Sequence, residues 1–336
     1  MANRHITQSE KKRIAKRMGI AVGIFAAAIV ALVLVLRPLD SHKAEMNSSN
    51  EVPEGMIEVD GVKYVPKKNI ETYLFMGVDN MGKVEKVEDY DGAGRCDVVM
   101  LLVRDISTGT YKTLNLNRNI LMEQDSLEPD GTYIGTSTAI LALAHENGDG
   151  MEISCENVVK TVSNFLGGQK IDGYAAVNMG AISIINHLAG GVTVTIEDDF
   201  SEIDTSLVQG ETITLSDEQA VNFVHSRWYV DDQTNESRMR RQSAYMADLK
   251  VKLKQKCSEN NDYPFTIYDA LGEYMVTNIS SQKFSKIALL MLEDKDEGEI
   301  TIEGTSVMND LDYMEMTADE DSVEAAILEL FYKKYE

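Results

Sequence analysis

Beyond its first seventy positions the chain is built from short apolar runs broken by turn residues. "TYLFMGVD" (72–79) is apolar until it ends on an acid, the pattern of a buried strand that delivers Asp79 at its end. "DVVMLLVRDISTGTYKTLNLN" (97–117) gives two strand-length runs joined by a Ser-Thr-Gly turn. Helical spacing follows at Ser137–Asn147, Ser154–Leu166 and Met179–Leu188, with the strand-like "YAAVN" among them and "GGVTVTI" after the last. A further helix begins at "LSDEQAVNFVHSR", where Ser216 is placed to cap and Glu218 and Gln219 fall in the first turn. The longest predicted helix runs from about Glu236 to Lys256, and Gln242, Met246, Leu249 and Leu253 form its inward stripe. From Pro264 to the end, helix and strand patterns continue without a linker. Strands mixed with helices predict an α/β fold, a mixed sheet flanked by helices, in one domain over 70–336.

Before residue 70 the pattern changes. Met18–Leu36, "MGIAVGIFAAAIVALVLVL", carries no charge, and at about 1.5 Å per residue it spans a hydrocarbon core of roughly 30 Å. A cleaved signal peptide would have an apolar core of only about 7–15 residues and a small-x-small site, and "RPLDSHKAEMNSSN" offers no convincing one. The expectation is an uncleaved transmembrane helix over 18–36. The basic tail 1–17 then stays in the cytoplasm, and the main domain lies outside the cell membrane in a single-pass arrangement. Residues 37–69, with Pro38, Pro53 and Pro66, predict a tether with one short hairpin around "MIEVDGVKYV".

Charge sharpens this division. Seven of the 32 Lys/Arg and one of the 55 Asp/Glu precede residue 38, which leaves 25 bases against 54 acids, a formal charge of −29 on everything beyond. A body so acidic repels nucleic acid, so no nucleic-acid partner is expected. Three cysteines, Cys96, Cys155 and Cys257, stand far apart with no paired spacing, and five scattered histidines supply neither a zinc cluster nor a Ser-His-Asp set.

Against that acidity, "NESRMRRQ" (235–242) gathers three arginines in four positions. Arg238, Arg241 and Gln242 are related by i, i+3 and i+4 and are expected on one face of the long helix, in first turns whose free N–H groups favour an anion. A solvated face with pairs such as Glu236 to Arg240 is the plainer alternative. Three more arginines change the weighing: Arg227 ends the preceding helix, Arg118 closes a strand, and Arg95 precedes one. Asp79 and Asp97 stand at strand boundaries too. Carboxylates and arginines together suit a magnesium ion and a diphosphate, because Mg²⁺ takes one or two carboxylates, waters and phosphate oxygens, and the planar arginine fork fits phosphate.

In "YLFMGVD", "GRCDVVMLLVRDISTGTYKTLNLNRNI", "IDGYAAVNMGAISIINHLAGGVTVTI", "LSDEQAVNFVHSR" and "ESRMRRQ", taken in order, the chain resembles the LytR-CpsA-Psr family of bacterial envelope proteins over roughly Tyr73–Leu253. The resemblance implies transfer of a glycopolymer phosphate from a polyprenyl-diphosphate-linked glycan to peptidoglycan, with membrane lipid met through the anchor. It also implies Mg²⁺ (Mn²⁺ being an equal match to oxygen ligands) on Asp79 and Asp97, a diphosphate grip by Arg95, Arg118, Arg227, Arg238 and Gln242, and catalysis by Arg118 and Asp97. The helix faces Val158, Val159, Val162, Phe165 and Leu166, or Ile182, Ile184, Ile185 and Leu188, are candidates for lipid contact or for ordinary core. Four positions depart from the family pattern: Asn119 stands where an aspartate is usual, His225 where the first arginine of a pair is usual, Asn235 where another aspartate is usual, and Met81 in place of an arginine. These departures keep a second reading in play, a relative that binds lipid diphosphate or peptidoglycan with little or no turnover.

Overall fold

Residues 54–88, 92–226, 229–230, 235–310 and 314–335 are described by a computed structural model. The expected transmembrane helix and basic tail lie outside these, and among the described residues no helix is long and apolar enough to cross a membrane. The first half of the fold comprises β1 (Ile57–Val59), β2 (Val62–Pro66), β3 (Ile70–Val78), β4 (Cys96–Asp105), β5 (Thr110–Leu116), β6 (Leu121–Leu127), β7 (Tyr133–Ile140) and, after a 3-10 turn (Leu141–Ala144), α1 (Glu152–Phe165). Next come β8 (Gly173–Asn178), α2 (Ala181–Ala189), β9 (Thr193–Thr195), β10 (Thr212–Thr214), α3 (Asp217–His225), α4 (Asn235–Glu259) and α5 (Tyr263–Leu271). The chain ends with β11 (Met275–Thr277), α6 (Ser281–Glu293), β12 (Lys295–Thr301), β13 (Gly304–Met308), β14 (Met314–Ala318), α7 (Glu320–Phe331) and β15 (Tyr332–Lys334).

Six strands make the central sheet in the order β11–β8–β3–β4–β5–β12. It is mixed: β3 runs parallel to β8 and antiparallel to β4, and β12 joins β5 in parallel. Both faces are covered, which explains why β3 and β4 are apolar almost throughout rather than alternating. Tyr73, Phe75, Met100 and Leu102 face a core shared with α2, α3, α4, α5 and α6. Leu74, Met76, Leu101 and Val103 face the opposite core, closed by α1, α7 and the base of β6. Each fully buried leucine stabilises the fold by about 1.5–3 kcal/mol.

The apolar sets considered for lipid contact divide between these cores. Val158, Val162 and Leu166 are wholly buried beside the second, with Val159 and Phe165 packed at its margin. Ile182 and Ile185 are buried in the first, with Ile184 and Leu188 against it.

One expectation needs correction. Ser137–Asn147, expected as a helix, is not one: its first four residues close β7 (Tyr133–Ile140), which pairs with β6 in a hairpin, and a 3-10 turn (Leu141–Ala144) follows before the chain loops away. Thr136, Thr138 and Ile140 are β-branched and favour the pleated conformation once a partner strand is present. The hairpin anticipated inside the tether forms as β1–β2, and β2 also pairs with β15, which ties 57–66 to the far end of the chain.

Candidate functional site

Strand direction places the candidate residues. β3 and β5 end, and β4 begins, at one edge of the sheet, so Asp79, Asp97 and Arg118 arrive there from three neighbouring strands. A β-bulge refines this: Gly77 pairs with Val98 and Val78 with Cys96, which leaves Asp97 as the extra residue. Its effect on phase is visible in Cys96 and Val99, three apart yet packed in the same core. Bulges of this kind re-aim a side chain next to a functional site.

Gly94 makes the approach of the preceding loop possible. Its φ of +75° suits glycine, and a Cβ there would lie 2.7 Å from Val78 Cγ1 and 3.3 Å from Asp79 Oδ1. The loop therefore lies against the end of β3, where the Arg95 amide donates to Asp79 Oδ1 at 2.6 Å and the Asp79 amide donates to Arg95 O at 3.0 Å. Buried His145 fixes the loop from behind by donating from Nδ1 to Gly94 O at 3.0 Å.

Side-chain contacts complete the cluster. Arg118 pairs through Nη1 with Asp97 Oδ1, and its buried Nε has no hydrogen-bond partner among the described residues. The Arg118 loop is held by backbone: its carbonyl accepts from Ala142, and the Asn119 carbonyl accepts from Met316 at 2.7 Å. Arg95 Nε donates to Glu146 Oε1 at 2.7 Å. Arg238, in the first turns of α4, and His225, at the end of α3, complete this edge, since the charges of Arg238 and Asp97 both act on His225.

The three arginines of "NESRMRRQ" reach different partners. Arg241 is buried and pairs with Asp198, and Arg240 reaches Asp198 and Glu197. Arg238 acts electrostatically on Asp97 and His225. Gln242 is half-buried and donates from Nε2 to Val224 O at 3.2 Å, so its amide nitrogen fastens the end of α3. Arg227 lies outside the described residues, and Asn235 is the first residue of α4. Met81 is exposed in the loop after Asp79, and the absence of a Cβ at Gly180 lets the Met81 carbonyl pass over the start of α2.

Burial lifts the Asp97 carboxyl above its ordinary value; Arg118 opposes the shift, Asp79 adds to it, and Arg238 opposes it. Two acids and two arginines are thus close enough to feel one another. Burial and then Arg238 hold the His225 imidazole below its ordinary value, against a smaller pull from Asp97. His225 is therefore neutral at pH 7 and does not replace an arginine's charge.

Glu146 and Asp198 have no role in the sequence reading. Glu146 stands 51 positions from Arg95 and Asp198 stands 43 from Arg241, with no local pattern to join them.

Among the described residues no three His, Cys, Asp or Glu side chains group as a metal site. A magnesium ion shared with phosphates needs only one or two carboxylates, and Asp79 and Asp97 meet that requirement.

Solved structures of similar fold include TagV from B. subtilis (22% identical, TM-score 0.54, covering 79% of this chain and 96% of that one). Protein gbs0355 from Streptococcus agalactiae is 19% identical with a TM-score of 0.58, over 78% of this chain and 86% of its own. TagT bound to LI-WTA is 19% identical with a TM-score of 0.51, over 78% and 90%. A search of curated proteins gave no match. The model of the LytR_cpsA_psr family matches residues 35–328, nearly the whole of the chain, and the protein belongs to that family.

Proposed function

We propose that the domain transfers a glycopolymer phosphate from a polyprenyl-diphosphate carrier to a peptidoglycan hydroxyl, at the outer face of the membrane to which residues 18–36 anchor it. The observation that carries this reading is the meeting of Asp79, Asp97, Arg118 and Arg238 at one sheet edge in a body of strongly negative charge. Gathered cations in such a body focus a positive field that favours an anion there. Family membership and the LI-WTA ligand in the name of the TagT complex support the substrate class.

In this reading Asp79 and Asp97 hold Mg²⁺, which neutralises phosphate oxygens when bound. Arg118 and Arg238 grip the diphosphate and stabilise charge that builds on it as the bond to the leaving polyprenyl phosphate breaks. The acceptor hydroxyl oxygen forms the new bond to phosphorus, and its proton ends in solvent. Arg95, fastened by Glu146, borders the same edge, and Arg227 is proposed to add to the grip.

A binder with little turnover is the second reading. The neutral His225 and the uncharged Asn119 favour it, since both remove charge from the grip. Full-length protein in detergent, supplied with a polyprenyl-diphosphate-linked sugar, peptidoglycan and Mg²⁺, separates the two by mass spectrometry of polyprenyl phosphate. Release that needs metal and acceptor, and falls about 100-fold or more in Arg118→Ala, is the expected result. Tight lipid binding without release in wild type and in Asn119→Asp would leave the binder.

A further inference from the structure

The fastening of the last turn of α3 to the first turns of α4 is separate from the charged groups of the site. Asp198, in the segment after β9, is wholly buried and takes two arginines: Arg241 through Nη1 on Oδ2, and Arg240 on Oδ1. The remaining donors of the Arg241 fork go to backbone, Nε to Phe223 O at 2.9 Å and Nη2 to Ser226 O. Its guanidinium lies 5.2 Å from the centroid of Phe200, which stacks on Phe223 with centroids 5.9 Å apart. One side chain thereby grips the 198–200 segment, the last turn of α3 and the residue after His225. Gln242, its neighbour, adds the hold on Val224 O.

A wholly buried carboxylate persists in a fold only when its charge is fully paired. Three donors in a rigid plane are what a single fork supplies and a lysine does not. Arg238 precedes Arg241 by three residues, less than one turn of the same helix, so fixing one sets where the other stands.

We propose that Asp198 and Arg241 are positioning residues, whose ion pair holds the end of α3 against the first turns of α4, a junction that sets Arg238 at the sheet edge beside Asp97 and His225. The inference rests on reading that edge as a diphosphate site, and neither residue touches the substrate.

The test uses full-length protein in detergent, with inorganic pyrophosphate and Mg²⁺ as the probe and calorimetry as the readout. Asp198→Asn and Arg241→Lys are each expected to weaken pyrophosphate binding about tenfold or more, measured well below their melting temperatures. Ile267→Val, a core change in α5, gauges general destabilisation and is expected to bind within about twofold of wild type. Wild-type affinity in both junction variants overturns the proposal. If wild type itself fails to bind pyrophosphate, the diphosphate reading is lost, and hydrogen exchange decides the clamp on its own. Amides of 223–226 and 237–242 then exchange faster in Arg241→Lys than in Ile267→Val, and equal exchange in the two overturns it.

Discussion

Asp97 is the residue on which most of the site's physics converges: it is the extra residue of a bulge, the partner of Arg118, and a carboxyl lifted by burial above its ordinary value. A proton and a metal ion compete for such a group. Because the raised value lets the proton stay on at higher pH, Mg²⁺ affinity is expected to fall as pH drops, beginning above the range near 3.9 where an ordinary aspartate titrates. Calorimetric Mg²⁺ titrations between pH 8 and pH 4 check this, and Asp97→Asn should remove both the binding and its pH dependence. The same sign governs the free protein: the folded state holds this proton more tightly than the unfolded chain, so the group's contribution to stability declines as pH rises through its titration range.

At this scale the sequence was informative about which side chains matter and silent on how they are shared. Asp79, Asp97 and Arg118 were readable because strand ends deliver them. The fates of Arg238, Arg240 and Arg241 were not readable, because helical spacing states an angle and not what lies across the gap. Asp198 settles that, from a segment some forty residues away.

Among the elements, the end of β3 and the loop before β4 work as one piece, and Gly94 is the point where they touch. Gly94→Ala forces a positive φ onto a side-chain residue and drives a methyl against Val78 Cγ1 at 2.7 Å. A stability loss of about 1–3 kcal/mol is expected, read by chemical denaturation, together with weaker Mg²⁺ binding, since Asp79 accepts from the Arg95 amide in that contact. Unchanged stability would mean that the loop relaxes at no cost.

Periodicity disclosed most elements. The capping box at Ser216 and Gln219, the inward stripe of Met246, Leu249 and Leu253, and the buried strand before Asp79 all stand as expected. The β6–β7 hairpin was missed because its outer strand is exposed along most of its length, so no apolar rhythm marks it. Its identity comes from pairing across a turn, which is invisible to a count of apolar spacings.

The molecule as a whole is closed by the strand set β1–β2–β15, in which Tyr332 pairs with Pro66 and Lys334 with Tyr64. Removing 332–336 is expected to lower the melting temperature by several degrees, about what the loss of a short strand's pairing implies, while leaving Mg²⁺ binding at the opposite elements intact. Loss of both together would show that the ends and the site unfold as a single unit.

That closure also imposes an order in time. The residues that pair in β2 and β15 are 266 positions apart, between Pro66 and Tyr332. At a synthesis rate of about 5–20 residues per second, β2 waits roughly 13–53 s for its partner. Through that interval one edge of the strand stays open, and any chain that terminates early keeps it open for good. Residues 332–334 are thus a latch on β2, one that closes only after the rest of the sheet has been made.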